Sequence, residues 1–144
     1  MVREAIFWRL IQDFPNVSYD QYHTFITGLA DRRIGESFLT VLCEYQFQDP
    51  SAGDGIFMKT LCREIYGLCN KYDYQIKTGW EAEHVHGWEI NLKILEACKR
   101  NMRFSPHLIQ GDYPKYGDGT TVTADLYLDF GVFGVIIGCM LFGV

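Results

Sequence analysis

The sequence lacks the features that mark several common protein classes. Its 144 residues hold 13 Lys and Arg against 18 Asp and Glu, so it has no basic excess with which to bind nucleic-acid phosphates. The nearest basic cluster, Lys99, Arg100 and Arg103, lies at a predicted helix end, where cations are favoured anyway. The five cysteines form no CxxC pair, which argues against a disulfide framework or a zinc ribbon. We therefore expect no nucleic-acid partner, and we expect buried, reduced thiols.

Leader and nucleotide motifs are also missing. Four charged residues interrupt the apolar face of residues 1–14, so no continuous signal-peptide core exists. The GDG at 53–55 and the GDGT at 117–120 lack the Walker pattern and read as turns. Residues 85–101, VHGWEINLKILEACKRN, are similar to a helix of the extended short-chain dehydrogenases, but the GxxGxxG and Tyr-x-x-x-Lys of that family are absent. The sequence therefore predicts no cofactor.

What the chain does have is helical periodicity over residues 1–101. Pro15 ends the first apolar stripe, a Ser18–Gln21 capping box opens the second, and Asp31 and Asp54 are predicted caps of the third and fourth. A second box, Thr78–Glu81, predicts a fifth helix that runs to about residue 101, with Gly87 as an interruption. Five amphipathic helices predict a mainly α bundle. The stripe residues are Val2, Ile6, Phe7, Leu10, Ile11 and Phe14; Tyr22, Phe25, Ile26 and Leu29; Ile34, Phe38, Leu39 and Leu42; Met58, Leu61, Cys62, Ile65 and Cys69; and Leu92, Leu95 and Cys98.

The pattern changes after residue 101. Residues 102–120 are rich in Pro and Gly and predict an irregular loop, which separates a helical body, 1–101, from an apolar tail, 121–144. Residues 121–130 alternate polar and apolar side chains, which favours a strand. Residues 130–144 carry no charge, and as a helix they would fall short of the roughly 30 Å hydrocarbon core. The tail is therefore either part of a membrane helix or a buried β-hairpin.

Residues 117–144, GDGTTVTADLYLDFGVFGVIIGCMLFGV, carry a family resemblance. The run of Asp125, Tyr127 and Asp129–Phe130–Gly131, followed by Gly134 and Gly138, resembles bacterial oligosaccharide repeat-unit polymerases, the O-antigen polymerase family. The resemblance implies that Arg103, Tyr113, Asp125 and Tyr127 face a lipid-linked oligosaccharide. It also implies an inner-membrane enzyme that works without a metal.

Residues 1–101 contain no membrane span, so this chain alone cannot be such an enzyme. One hypothesis is therefore a fragment of a membrane protein of polysaccharide polymerisation, located at a bacterial inner membrane. The alternative is a small helical interaction module, cytoplasmic, whose tail is buried in its own core or in a partner. In either case residues 130–144 are the predicted contact with a membrane or a protein partner.

The densest group of metal-ligand types is EAEHVHGWE, residues 81–89. On a helix His84 and His86 would be about 200° apart and could not share one metal, although on a strand they could. A site would also need a further ligand, for which His23 and His107 are the spare histidines. The helical placement predicts no metal site, with Glu81–His84 and Glu83–His86 as solvated pairs.

Overall fold

Six helices and three short strands make up most of residues 2–113, the part of the chain that the computed structural model describes. Residues up to Asp112 belong to one compact unit. The elements are α1 (Val2–Asp13), α2 (Tyr19–Ile26), α3 (Arg32–Leu42), β1 (Phe47–Asp49), α4 (Ile56–Lys71), α5 (Trp80–His84), β2 (Val85–Glu89), α6 (Leu92–Asn101) and β3 (His107–Gln110).

The predicted fold class, a mainly α bundle, is wrong. About 55% of the described residues are helical, but a three-stranded parallel sheet holds a further 11%, so the fold is mixed α/β. The strand order is β1-β2-β3, with Phe47 opposite Val85 and His86 opposite His107. β3 lies within the stretch 102–120 that we predicted to be loop.

The predicted fifth helix is replaced by α5, β2 and α6. Val85 and Gly87 are buried, and Gly87 approaches α4 so closely that an added Cβ would lie 2.8 Å from Met58 Sδ. A glycine costs a helix about 1 kcal/mol, whereas Val and Trp side chains suit a half-buried sheet. Because α4 covers this segment, its tertiary packing overrides the helical signal of the Thr78–Glu81 box.

The first four predicted helices are confirmed, and so are most of their caps. Ser18 Oγ accepts the Gln21 N–H while the Gln21 side chain accepts the Ser18 N–H, which completes the predicted capping box. Asp31 accepts the Arg33 N–H at the start of α3. The N-cap of α4 is Gly55, and Asp54 Oδ1 accepts the N–H of its first residue.

The stripes of α1 to α4 supply the core. Fully buried side chains include Ile6, Leu10, Phe25, Leu39, Leu42, Met58, Leu61 and Ile65. Three predicted stripe residues are exposed instead: Leu29, which follows α2, is 80% exposed, Ile34 of α3 is 51% exposed, and Leu92 of α6 is 48% exposed. The core therefore forms where α1, α2, α3 and α4 pack together.

A buried carboxylate joins the helices to the segment that leads into β3. Glu81 accepts a hydrogen bond from the Tyr66 hydroxyl and another from the Ser105 N–H at 3.3 Å. Trp80 Nε1 donates to the Cys43 carbonyl at 2.7 Å. Glu81 is thus a tertiary anchor, and it does not form the predicted pair with His84.

Within residues 2–113, none of the helices combines the length and the apolar character that a membrane crossing requires. The predicted tail, 121–144, lies outside the described residues. The choice between membrane helix and hairpin therefore stays open.

Candidate functional site

The carboxyl ends of β1 and β2 bring together two acidic residues that are 40 positions apart. β1 ends at Asp49 and β2 ends at Glu89, and the two strands are parallel neighbours. Both carboxylates are half-buried. In open α/β sheets, ligands bind in the crevice beyond the carboxyl ends of the strands. This edge is therefore the candidate ligand-binding site.

The loop from Pro50 to Gly55 closes over the end of β2. The Ala52 N–H donates to the Trp88 carbonyl at 2.8 Å, and the Gly53 N–H donates to Glu89 Oε2 at 3.1 Å. The other carboxylate oxygen of Glu89 accepts the Asn91 N–H at 3.0 Å. Glu89 therefore fixes the β1–α4 loop and the start of the β2–α6 turn at the same time.

Two glycines of this loop require the left-handed backbone region that disfavours side chains. Gly53 has φ +52° and Gly55 has φ +79°. A Cβ at Gly55 would lie 2.8 Å from Cys98 Sγ, so the loop packs directly on α6. Among residues 2–113, a Cβ at Gly53 would meet only the Ser51 carbonyl, at 4.0 Å. The loop is thus tight on its inner side and has room beside Gly53.

The edge is acidic. Burial raises the pKa of Asp49, and the negative charge of Glu89 raises it further, although the Ser51 N–H opposes the shift. Asp54 at the α4 cap and exposed Asp112 after β3 add two more carboxylates to the loops and strand ends here. A cation placed at this edge would relieve the repulsion between Asp49 and Glu89.

A histidine cluster lies near the other end of the strands. His86 Nδ1 is 3.1 Å from His107 Nδ1, and His86 Nε2 is 2.8 Å from Gln46 Oε1. His84 Nδ1 is 3.0 Å from the Tyr45 carbonyl. The helical placement of 81–89 is therefore wrong for His86, which lies on a strand beside His107.

The predicted ion pairs of this segment are also absent from the part of the chain that the structure describes. Glu83 pairs with Lys77 instead, with 2.6 Å between Oε1 and Nζ. Across residues 2–113, no group of three or more His, Cys, Asp or Glu side chains is arranged to hold a metal ion. The four cysteines of this region are buried and free, as predicted.

The helical half of the unit contains a groove of about 720 Å³ among α1, α2 and α3. Phe14, Leu29 and Ile34 contribute to its apolar lining. Two of its three carboxylates, Asp13 and Asp31, accept hydrogen bonds from the Tyr45 hydroxyl and the Arg33 N–H, and the third, Asp20, is exposed. These groups serve the fold, so the groove offers less chemistry than the sheet edge.

The residues implied by the polymerase resemblance are not brought together by the described structure. Arg103 is exposed just after α6, and Tyr113 is the last described residue. Asp125 and Tyr127 lie outside the described residues. The four therefore stay a prediction.

Sequence reasoning missed both Asp49 and Glu89. The signal that could have found them is the short β-type run before each acid, FQD at 47–49 and VHGWE at 85–89, with a glycine-rich turn after the first. Each run is too short to stand out against the neighbouring helical stripes.

Comparisons of the chain with models of protein families, with characterised proteins and with solved structures found no significant match. They neither support nor refute the polymerase resemblance.

Proposed function

We propose that the chain binds S-adenosylmethionine at the carboxyl edge of its parallel sheet and serves methyl transfer. One observation carries the proposal. The acidic residue that ends the central strand, Glu89, binds the Gly53 N–H of the glycine loop that follows the neighbouring strand. In dinucleotide-binding folds a glycine turn follows the first strand, and an acid further along the chain accepts hydrogen bonds from the ribose. The Gly53–Glu89 contact places a glycine turn and an acid side by side in the same way.

The order of elements supports the position of the site. β1, β2 and β3 follow one another in the chain and in the sheet, with helices in both connections. This order of strands and helices is the same as in the half-unit from which doubly wound nucleotide-binding folds are built. A fold analogy gives the location of a ligand but not its chemistry. The chemistry must come from the side chains.

Glu89 is suited to a ribose. In nucleotide-binding folds of this type, an acid downstream of the glycine turn accepts hydrogen bonds from ribose hydroxyls. An ionised carboxylate has about four acceptor positions, and the Gly53 and Asn91 N–H groups use two of them. The remaining positions can accept two hydroxyls. The room beside Gly53 allows the sugar to approach the backbone.

The charge at this edge distinguishes among nucleosides. Asp49, Asp54, Glu89 and Asp112 would all repel a pyrophosphate. The start of α4, which could otherwise attract a phosphate, already has the Asp54 carboxylate on its first N–H. S-adenosylmethionine combines a ribose diol with a sulfonium and an ammonium group. Its cationic part would pair with the carboxylate of Asp49, and the nearby negative charge of Glu89 would add to the attraction.

The bound cofactor would supply an electrophilic methyl group, which passes to a nucleophile as the carbon–sulfur bonding electrons return to sulfur. The described residues contribute binding and orientation. Glu89 and the glycine loop would hold the nucleoside, and Asp49 would hold the cationic chain that carries the methyl group. This role differs from our sequence expectation of no cofactor.

Isothermal titration of the full chain tests the proposal with four ligands: S-adenosylmethionine, S-adenosylhomocysteine, NAD⁺ and ATP. We expect the first two to bind, and NAD⁺ and ATP to bind at least about tenfold more weakly, because pyrophosphate repulsion and loss of the cation contact cost about 1.4 kcal/mol or more. Tighter binding of NAD⁺ or ATP, or no binding by either sulfur nucleoside, would overturn the proposal.

The variant Asp49→Asn tests the role of charge at nearly constant shape. Asn retains an oxygen for the Ser51 N–H but removes the negative charge. A hydrogen bond to a charged group contributes about 1.5–3 kcal/mol, so S-adenosylmethionine affinity should fall about 10- to 100-fold. Asp20→Asn, on an exposed turn of α2, is the matched control and should leave affinity unchanged. Equal affinities for Asp49→Asn and the control would contradict the assigned role.

A further inference from the structure

We propose that His86 and His107 form a binding site for a divalent transition-metal ion, on the sheet face opposite to α4. This inference is independent of the proposed cofactor. His86 and His107 are register partners in β2 and β3. Val85 and Gly87 alternate with His86, and the close contact of Gly87 with Met58 places their face against α4. The two imidazoles therefore project from the other face.

The separation of the two ring nitrogens fits a shared metal. His86 Nδ1 and His107 Nδ1 are 3.1 Å apart. With metal–nitrogen bonds of about 2.0–2.1 Å, that separation gives a nitrogen–metal–nitrogen angle of about 98°. The angle lies between the 90° of adjacent octahedral positions and the tetrahedral value. The two nitrogens share a hydrogen bond in the metal-free chain. A metal would displace its proton, and each ring would turn to direct its lone pair at the ion, with little movement of either strand.

Gln46 prepares His86 as a ligand. Gln46 Oε1 lies 2.8 Å from His86 Nε2, and a carbonyl oxygen can only accept, so His86 Nε2–H donates. In the neutral ring this leaves the Nδ1 lone pair directed at His107. Histidines that bind metals commonly donate their second N–H to an oxygen in this way, which fixes the tautomer and the ring orientation.

The number and kind of donors define the class of ion. His84 Nδ1 lies against the Tyr45 carbonyl, so this third ring is held by the backbone. The protein thus supplies two imidazole nitrogens, and water would complete the coordination. Imidazole suits Zn²⁺, Ni²⁺ and Cu²⁺, whereas Mg²⁺ and Ca²⁺ prefer oxygen ligands. A two-nitrogen site is also weaker than a structural four-ligand site, which agrees with the absence of any three-ligand cluster in residues 2–113.

Calorimetric titration of the tag-free full chain with Zn²⁺ and Ni²⁺ tests the proposal, and Mg²⁺ serves as the ion control. We expect one Zn²⁺ or Ni²⁺ per chain and no heat of binding with Mg²⁺. Saturation should raise the melting temperature by a few degrees, because the metal links β2 to β3 only in the folded state. A stoichiometry of zero, or equal binding of Mg²⁺, would overturn the proposal.

Single substitutions locate the site. His86→Ala and His107→Ala should each abolish the stoichiometric site, and Gln46→Leu should weaken it about 10- to 100-fold through loss of the orienting acceptor. His23→Ala removes an exposed histidine on α2 and should change nothing. Circular dichroism of the metal-free variants verifies that each one folds. Metal binding that survives His107→Ala, or that is lost in His23→Ala, would show that the ion binds elsewhere.

Discussion

The two N-cap glycines, Gly55 and Gly79, offer a matched test of how the loop after β1 is held. They share nearly the same backbone, with φ and ψ of 79° and 14° at Gly55 and 77° and 18° at Gly79. Their surroundings differ. A Cβ at Gly55 would lie 2.3 Å from Met102 Cε and 2.8 Å from Cys98 Sγ, whereas a Cβ at Gly79 would meet no atom of the described part of the chain within 4 Å.

The expected costs follow from this difference. Alanine in the left-handed region costs about 1–2 kcal/mol at either position. At Gly55 the new methyl must also displace the Met102 end and the buried Cys98 thiol, and such overpacking costs about 1–3 kcal/mol. We therefore expect Gly55→Ala to lower the free energy of unfolding by about 3 kcal/mol, and Gly79→Ala to lower it by about half as much.

Urea denaturation of the full chain, followed by circular dichroism, measures both values. Binding of S-adenosylmethionine gives a second readout, since displacement of the loop should weaken it in Gly55→Ala and leave it unchanged in Gly79→Ala. If the two variants unfold within about 0.5 kcal/mol of each other, the loop is not packed on α6 as described, and the reasoning fails.

A second pair of glycines and one buried carboxylate give two further tests. Gly67→Ala should stabilise α4 by about 0.5–1 kcal/mol, because the new Cβ would meet no described atom within 4 Å. Gly35→Ala should destabilise the protein by about 1–3 kcal/mol, because its Cβ would lie 2.3 Å from the Tyr72 ring. Shifts of the urea midpoint in the same direction for both variants would contradict this. Burial opposes ionisation of Glu81, but hydrogen bonds from Tyr66 and from backbone N–H groups outweigh it, so its pKa lies below the ordinary 4.5. The ionised carboxylate of Glu81 therefore stabilises the folded state fully at pH values above 4.5, and this stabilisation is lost as the pH falls through the lower pKa of the folded state. Glu81→Gln should cost about 1–3 kcal/mol at pH 7 and progressively less in acid, and a cost independent of pH would refute the assignment.

The helical half of the molecule could be predicted because its signals are local. The Ser18–Gln21 box and the Asp31 cap mark helix starts through contacts that span two or three residues. Pro15 and the 3.6-residue apolar spacing mark the rest. Such features act before any tertiary contact forms, so they are visible in the sequence.

The sheet could not be predicted in the same way. β1 has three residues and β2 has five, and parallel pairing depends on segments nearly 40 positions apart, such as Phe47 and Val85. Gly87 looked like an interruption of a helix, but it is a position where a side chain of α4 packs closely on the sheet. The candidate site could not be predicted for the same reason, because Asp49 and Glu89 become neighbours only when β1 pairs with β2.

Asp49 shows how a binding group can weaken the fold that carries it. Its pKa is raised, first by burial and then by Glu89, so the folded state disfavours the charged carboxylate. For an acid shifted in this direction, the protonated form is favoured in the folded state, and stability falls as pH rises through the folded pKa.

Asp49→Asn removes the charge and keeps an acceptor for the Ser51 N–H. The variant should therefore be at least as stable as the parent chain at pH 7, with a smaller loss of stability between pH 4 and pH 7, while it binds S-adenosylmethionine less tightly. Urea midpoints across that range, measured beside the titrations, separate the two effects. A variant that loses stability and affinity together would mean that Asp49 serves the structure, and the cation contact would then have no support.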